Sequence, residues 1–181
     1  MQAQNITWIY GDGTPIAVNE EPQKTVKAVL PRNFRDIQLG MGLEALKNAL
    51  KNDGYFNFRG DRDVSFLPAR EQNLVETSGS SFIRRAFFQL SEGRLFIMAF
   101  TMDTNKVDHY TMFSHFVKKY GEPSFLNPKE AVWENEDTRI AIERPFTVKY
   151  IDKRIFNDII DESAVIESGW VQLKQDFIDE F

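Results

Sequence analysis

Leu39-Gly40-Met41-Gly42-Leu43-Glu44-Ala45-Leu46-Lys47-Asn48-Ala49-Leu50-Lys51-Asn52-Asp53-Gly54-Tyr55-Phe56 joins a glycine step, a short amphipathic segment, a glycine stop and an aromatic run. Leu43, Leu46 and Leu50 recur at steps of three and four, which places them on one helical face, with Glu44, Lys47 and Lys51 off it. This reads as a helix from Gly42 to Gly54 entering a sheet. It predicts an α+β domain and carries no chemistry of its own.

Downstream, strand signals follow at Tyr55–Arg59, Val64–Leu67, Leu74–Thr77, Phe82–Leu90 and Leu95–Met102. The last two are joined through Ser91-Glu92-Gly93-Arg94, a hairpin loop with glycine placed for positive φ, so an antiparallel meander is expected. Both alternating sets of Leu95–Met102 are apolar, which marks a central strand covered on both faces. Upstream, Asn5–Tyr10 and Thr25–Leu30 read as two strands, and Phe34–Leu39 as an extended lead into the helix.

A second helix is bounded by Asp108 as N-cap and by Gly121 and Pro123 at its end, with Tyr110, Phe113, Phe116, Val117 and Tyr120 as its apolar stripe. Strands Ala131–Glu134, Thr138–Glu143 and Thr147–Ile151 follow a loop containing Pro123 and Pro128. Ile166, Trp170, Leu173 and Phe177 then mark an amphipathic helix over 162–181, packing on the domain or binding a partner. The expected architecture is one α+β domain over 1–161: an antiparallel sheet with helices on one face, arranged as two similar helix-plus-sheet units, 34–102 and 103–152.

At 181 residues the chain can bury a substantial core without crosslinks. Cysteine is absent, which excludes thiol nucleophiles and thiolate metal sites. A net charge of −5 argues against a nucleic-acid partner. No apolar run reaches the ~20 residues of a membrane-spanning helix, and Met1-Gln2-Ala3-Gln4 lacks the charged start and apolar core of a signal peptide. Ala3-Gln4 has the small-then-polar character left where a leader is removed.

The segment at 39–50, together with Phe116-Val117-Lys118-Lys119-Tyr120-Gly121-Glu122-Pro123, Trp133 and the strands over 138–151, resembles the helix-and-sheet units of the SmpA/OmlA (BamE-like) small envelope lipoproteins and of β-lactamase-inhibitor-protein-like domains. The likeness covers about 39–152 and rests on a Gly-Met-x-x-x-x-Leu helix start, a Tyr-Gly-x-Pro helix end and the element order. Gly42 stands where a Thr or Ser commonly caps the first helix, and the lipid-bearing cysteine is missing. The resemblance implies a non-enzymatic protein-binding or scaffold module of the bacterial envelope, periplasmic or peripherally associated with the membrane through a lost lipid anchor.

The chemical constellations are sparse. His109 and His115 stand six apart, about 120° around a helix, so they share no face and no third ligand is signalled; His109 is expected to border the core and His115 to face water. Asp103–Asp108 opens like a calcium loop but has Asp where the glycine belongs, so a turn with a helix cap is expected. Gly79-Ser80-Ser81 lacks the nucleophile elbow. Glu136, Asp137, Asp161 and Glu162 fall in predicted turns. No catalytic residue, metal or cofactor is therefore expected.

A binding surface is a better fit. Arg59, Asp61, Arg62 and Asp63 form a charged cluster expected in a hairpin loop, and Arg84 and Arg85 interrupt an aromatic strand, where pairing with Glu76 or Glu143 is the plain reading and anion recognition the sharper one. Phe96, Met98, Phe100 and Trp133 complete the candidate surface, since 16 Phe exceed what one narrow helix covers. Another protein is the expected partner. The alternative is a small-molecule or lipid carrier, with the Phe82–Phe100 region lining an apolar pocket between the sheet and the terminal helix.

Overall fold

The computed structural model describes residues 29–67 and 72–161. The expected strand Asn5–Tyr10, nearly all of Thr25–Leu30 and the expected helix over 162–181 lie outside them.

The described residues open with a small hairpin, β1 (Asn33–Phe34) and β2 (Ile37–Gln38), in place of an extended lead. Helix α1 (Leu43–Asn52) follows, with Gly42 as an extended N-cap and Asp53, also extended, as C-cap; Leu46 and Leu50 are buried. Gly40, at φ 91°, turns the chain so that its N–H donates to the Leu95 carbonyl at 2.7 Å, and Leu95 N–H donates back to the Met41 carbonyl at 2.9 Å. The Gly-Met-Gly step thus lies along the start of a distant strand before the helix departs.

Tyr55–Arg59 does not form the expected strand. Only Phe56 makes a bridge, to Gly79, and Gly60–Asp63 is a single 3₁₀ turn in place of a hairpin loop. The physical cause is Asp63, whose carboxylate accepts from the Arg59 N–H at 2.9 Å and from Arg59 Nε at 2.8 Å, winding the backbone that a strand would extend.

Among the described residues the main sheet holds eight antiparallel strands: β3 (Val64–Leu67), β4 (Gln72–Ser78), β5 (Ile83–Ser91), β6 (Arg94–Met102), β7 (Phe125–Leu126), β8 (Glu130–Glu134), β9 (Thr138–Glu143) and β10 (Thr147–Asp152). Their order is β3-β4-β5-β6-β10-β9-β8-β7. Helix α2 (His109–Tyr120) sits between β6 and β7 in the chain, so a helix followed by a four-stranded meander occurs twice, and the last strands of the two runs, β6 and β10, pair at the centre. A third helical segment, α3, begins at 153 and is described to 161; Asp161 is therefore helical, not in a turn.

Register sorts the two faces. Val75, Phe88, Met98, Tyr150, Ile140 and Trp133 are successive cross-strand partners, as are Ala86, Phe100, Val148, Ile142 and Ala131, and all belong to one buried cluster with Leu46 and Leu50 of α1 and Phe116 of α2. Both helices thus pack on this face. Phe100 is its hub, with ring centroids 4.4 Å from Phe34, 5.9 Å from Phe88 and 6.2 Å from both Phe56 and Tyr150. On the opposite face Glu76 and Arg85 form an ion pair, as do Glu130 and Arg139, and Glu143 and Lys149.

Candidate functional site

Where the two helix-plus-meander runs meet, a cleft of about 460 Å³ lies over the β6–β10 pairing, between α2 and the β1–β2 hairpin. That volume is typical of a small-molecule site. Phe34, Ile83, Phe100, Met102 and Val148 supply apolar floor and wall.

The α2 wall follows from helical spacing. Met112, His115, Phe116 and Lys119 recur at three, one and three residues and all line the cleft. Phe113 and Phe116 also pack on Trp133, at 6.0 and 5.4 Å, which sets the rotation of the helix; the Trp133 indole N–H donates to the Gly121 carbonyl at 2.8 Å and ties down its end. Asp108 caps the start, accepting from Thr111 N–H at 2.8 Å, and this contact with the Thr111 hydroxyl and N–H holds its carboxyl below the usual range. Gly121 ends the helix at φ 83° and ψ −171°, a region open only to glycine. Tyr110, expected in the apolar stripe, is 75% exposed. It stands on the first turn of the helix, facing outward.

The opposite wall carries Arg35, a non-glycine residue at φ 54° in the hairpin loop. Its Nε donates to Asp53 at 2.6 Å and its guanidinium lies 4.8 Å from the Tyr55 ring centre, so a buried carboxylate and an aromatic face hold the strained loop. Lys119 Nζ lies 5.2 Å from the Tyr120 ring centre. Among the described residues lining the cleft there is no carboxylate.

Tyr150 stands on the floor, 7% exposed. Burial first, and then the neighbouring Tyr120 phenol, push it above the usual tyrosine range, so its hydroxyl stays a neutral donor. Among the described residues its ring packs edge-on to Phe100 and its hydroxyl has no acceptor. The cleft therefore offers an apolar body, two phenols and a cationic rim of Arg35 and Lys119, with the His115 imidazole beside them.

A second hollow, of about 520 Å³, lies between the start of α2 and the β7–β8 segment, with Tyr110, Leu126, Lys129 and Arg144 on its walls. His109 borders it. The His109 ring lies 5.5 Å from Phe146 and its Nε2 is buried without a partner; burial, then Arg144, lower its pKa, against a smaller opposing effect of Asp108.

The residues expected to form a binding surface do not converge. Arg59 and Asp63 are paired within the 3₁₀ turn, Asp61 pairs with Lys47 of α1 at 2.8 Å, and Arg62 shares that turn. Arg85 pairs with Glu76 at 3.1 Å, as the plain reading expects, while Arg84 is exposed at a register shift in β5. Phe96, Met98, Phe100 and Trp133 are only 3, 0, 2 and 2% exposed, which corrects their assignment to a surface: they are core, and of the four only Phe100 reaches the cleft. The expected pocket beneath the terminal helix lies outside the described residues, as 162–181 do; among the described residues a cleft lies beneath α2. Arg35, Lys119, Tyr120 and Tyr150 were not singled out as binding residues, because they come from three elements that only folding brings together; the i, i+4 pair His115 and Lys119 was the one local signal.

Neither a comparison with curated proteins nor one with solved structures returns a match. The model of the TP0088 domain matches residues 32–162, a span that runs from Arg32, just before the β1–β2 hairpin, into α3 and takes in the described strands of the sheet and all of the cleft lining but Pro31. The chain belongs to the TP0088 domain family.

Proposed function

We propose that this protein is a non-enzymatic binding module that holds a small amphipathic ligand in the cleft between α2 and the β1–β2 hairpin. The observation that carries this reading is the cleft itself: about 460 Å³, floored by Phe100 and Val148 at the junction of the two meanders and rimmed by donors. Binding there would bridge the two halves of the sheet. Native mass spectrometry of the protein purified from its own source is expected to show a small-molecule adduct. Met112→Trp, which fills the cleft, is expected to abolish it, and a clean apo mass for the wild type would remove the main support.

A second reading, a module that holds another protein, rests on a different observation. Among the described residues, both edge strands of the sheet expose apolar side chains, Phe66 and Leu67 on β3 and Phe125 and Leu126 on β7. Unpaired strand edges are ready templates for another chain. The envelope location and the likeness to SmpA/OmlA and β-lactamase-inhibitor-protein-like domains belong to this second proposal. Cross-linking in envelope extracts tests it: loss of every cross-linked partner in a Phe125→Lys, Leu126→Lys variant is expected, and unchanged partners would set it aside.

A further inference from the structure

We propose that the ligand of the cleft is an amphipathic anion, its apolar body lying on Phe34, Phe100 and Met112 and its single carboxylate or phosphate meeting the phenols of Tyr120 and Tyr150 beside Lys119. The inference rests on the cleft being a ligand site and adds the chemistry of what it takes. Three observations converge on it.

Tyr150 is 7% exposed and lines the cleft, yet its hydroxyl makes no hydrogen bond to another described residue. The hydroxyl is not among the fully buried, unpartnered polar atoms of the described residues, so what marks it is its place in the cleft lining, where phenylalanine would supply the same ring. The Tyr150 ring already packs edge-on to Phe100, so the oxygen is the part left to explain. An acceptor entering the cleft would satisfy it.

The second observation is charge. Lys119 has no carboxylate partner among the described residues and rests on the Tyr120 ring, while Arg35 commits only its Nε to Asp53 and keeps its two terminal nitrogens. These two cations flank a cavity whose described lining contains no acid. Arg32, Arg59, Arg85, Arg94, Arg139, Lys149 and Lys153 have carboxylate partners, whereas Lys51, Arg62, Arg84, Lys118, Lys129 and Arg144 have no ion pair among the described residues; what sets Lys119 apart is its place on an apolar cleft. An unpaired Lys119 and a partly committed Arg35 beside an apolar cavity favour an anion with an apolar body over a neutral ligand or a cation.

The third is strain. Arg35 occupies a left-handed backbone conformation that long side chains rarely adopt, and it does so at the cleft mouth.

Isothermal titration calorimetry on the full chain, below micelle-forming concentrations, tests this with dodecanoate, dodecyl phosphate, dodecanol and dodecyltrimethylammonium. Both anions are expected to bind one to one, dodecanol about tenfold more weakly, and the ammonium compound not measurably. Tighter binding of dodecanoate than of dodecyl phosphate assigns a carboxylate, and the reverse order a phosphate. Tyr150→Phe removes only an oxygen and Lys119→Gln alters an exposed side chain; each is expected to weaken the anions about five- to tenfold and to leave dodecanol unchanged, while Lys118→Gln, outside the cleft, changes neither. Equal affinity for dodecanol and the anions, or anion binding untouched by both substitutions, would overturn the anionic head while leaving the cleft as a ligand site. Failure of all four probes to bind would overturn the cleft reading itself.

Discussion

Asp53, Asp63 and Asp152 are buried, and each divides its carboxylate the same way. In Asp53 one oxygen accepts from the Tyr55 N–H and the other from Arg35; in Asp63 the partners are the N–H and Nε of Arg59; in Asp152 they are the N–H groups of Arg154 and Ile155 and the guanidinium of Arg32. Each carboxylate thus fixes a turn and is neutralised in place, which is what makes its burial tolerable. Gly79 is equally constrained by space. A Cβ there would sit 2.3 Å from the Ile83 carbonyl oxygen, so Gly79→Ala is expected to cost about 2 kcal/mol in chemical denaturation, because backbone must move. His109 gives a pH signature. Its pKa is lowered in the fold, so the unfolded chain binds the proton more readily, and the stability of keeping the ring neutral is present above the unfolded value of about 6.5 and declines as pH falls through it. Wild type is therefore expected to lose more stability than His109→Gln between pH 7 and pH 5; parallel profiles in urea titrations would refute it.

At the scale of elements, α2 is delimited by local chemistry that any reader of the chain can find. Asp108 caps it, Gly121 ends it, and Lys118 and Lys119 complement the helix dipole in its last turn. Asp108→Ala is expected to lower stability by about 1 kcal/mol and to loosen the first turn, seen as faster amide exchange at Thr111 and Met112. The turn between β5 and β6 has Glu92 and Gly93 both at positive φ, 49° and 72°, the geometry that matches the twist of the flanking strands. Elements with such local signals were legible. Thr138–Glu143 is found as expected, and Leu95–Met102 lies at the sheet centre between β5 and β10. Tyr55–Arg59 was misread because its aromatic residues mimic a strand, whereas the Arg59–Asp63 contacts that wind it are specific to the folded turn. Phe125–Leu126 was missed because two residues carry no period, and the strand exists only by pairing with Val132 and Ala131.

At the scale of the whole molecule the two meanders share one sheet and one core, joined along β6 and β10. Phe100, at that seam, touches Phe34 and Phe56 near α1, Phe88 on β5 and Tyr150 on β10. Phe100→Ala is expected to cost about 3–5 kcal/mol and to do so for both halves at once. Hydrogen exchange measured on β5 and on β9 checks this. Equal loss of protection is the expected result, and loss confined to β5 would show that the halves unfold separately.

The sequence by itself determined the α+β class, the apolar faces of the helices, the caps of α2 and most strands, because these depend on contacts within a few residues and on periodicity. Only the tertiary structure decided which aromatics are core and which line a cavity. Phe96, Met98, Phe100 and Trp133 look alike in the chain, and register alone sends Phe100 to the cleft and Trp133 beneath α2. The cleft itself is a product of folding: Arg35 on a hairpin, Lys119 on a helix and Tyr150 on a strand become neighbours because β10 pairs with β6 and carries the second half of the chain against the first.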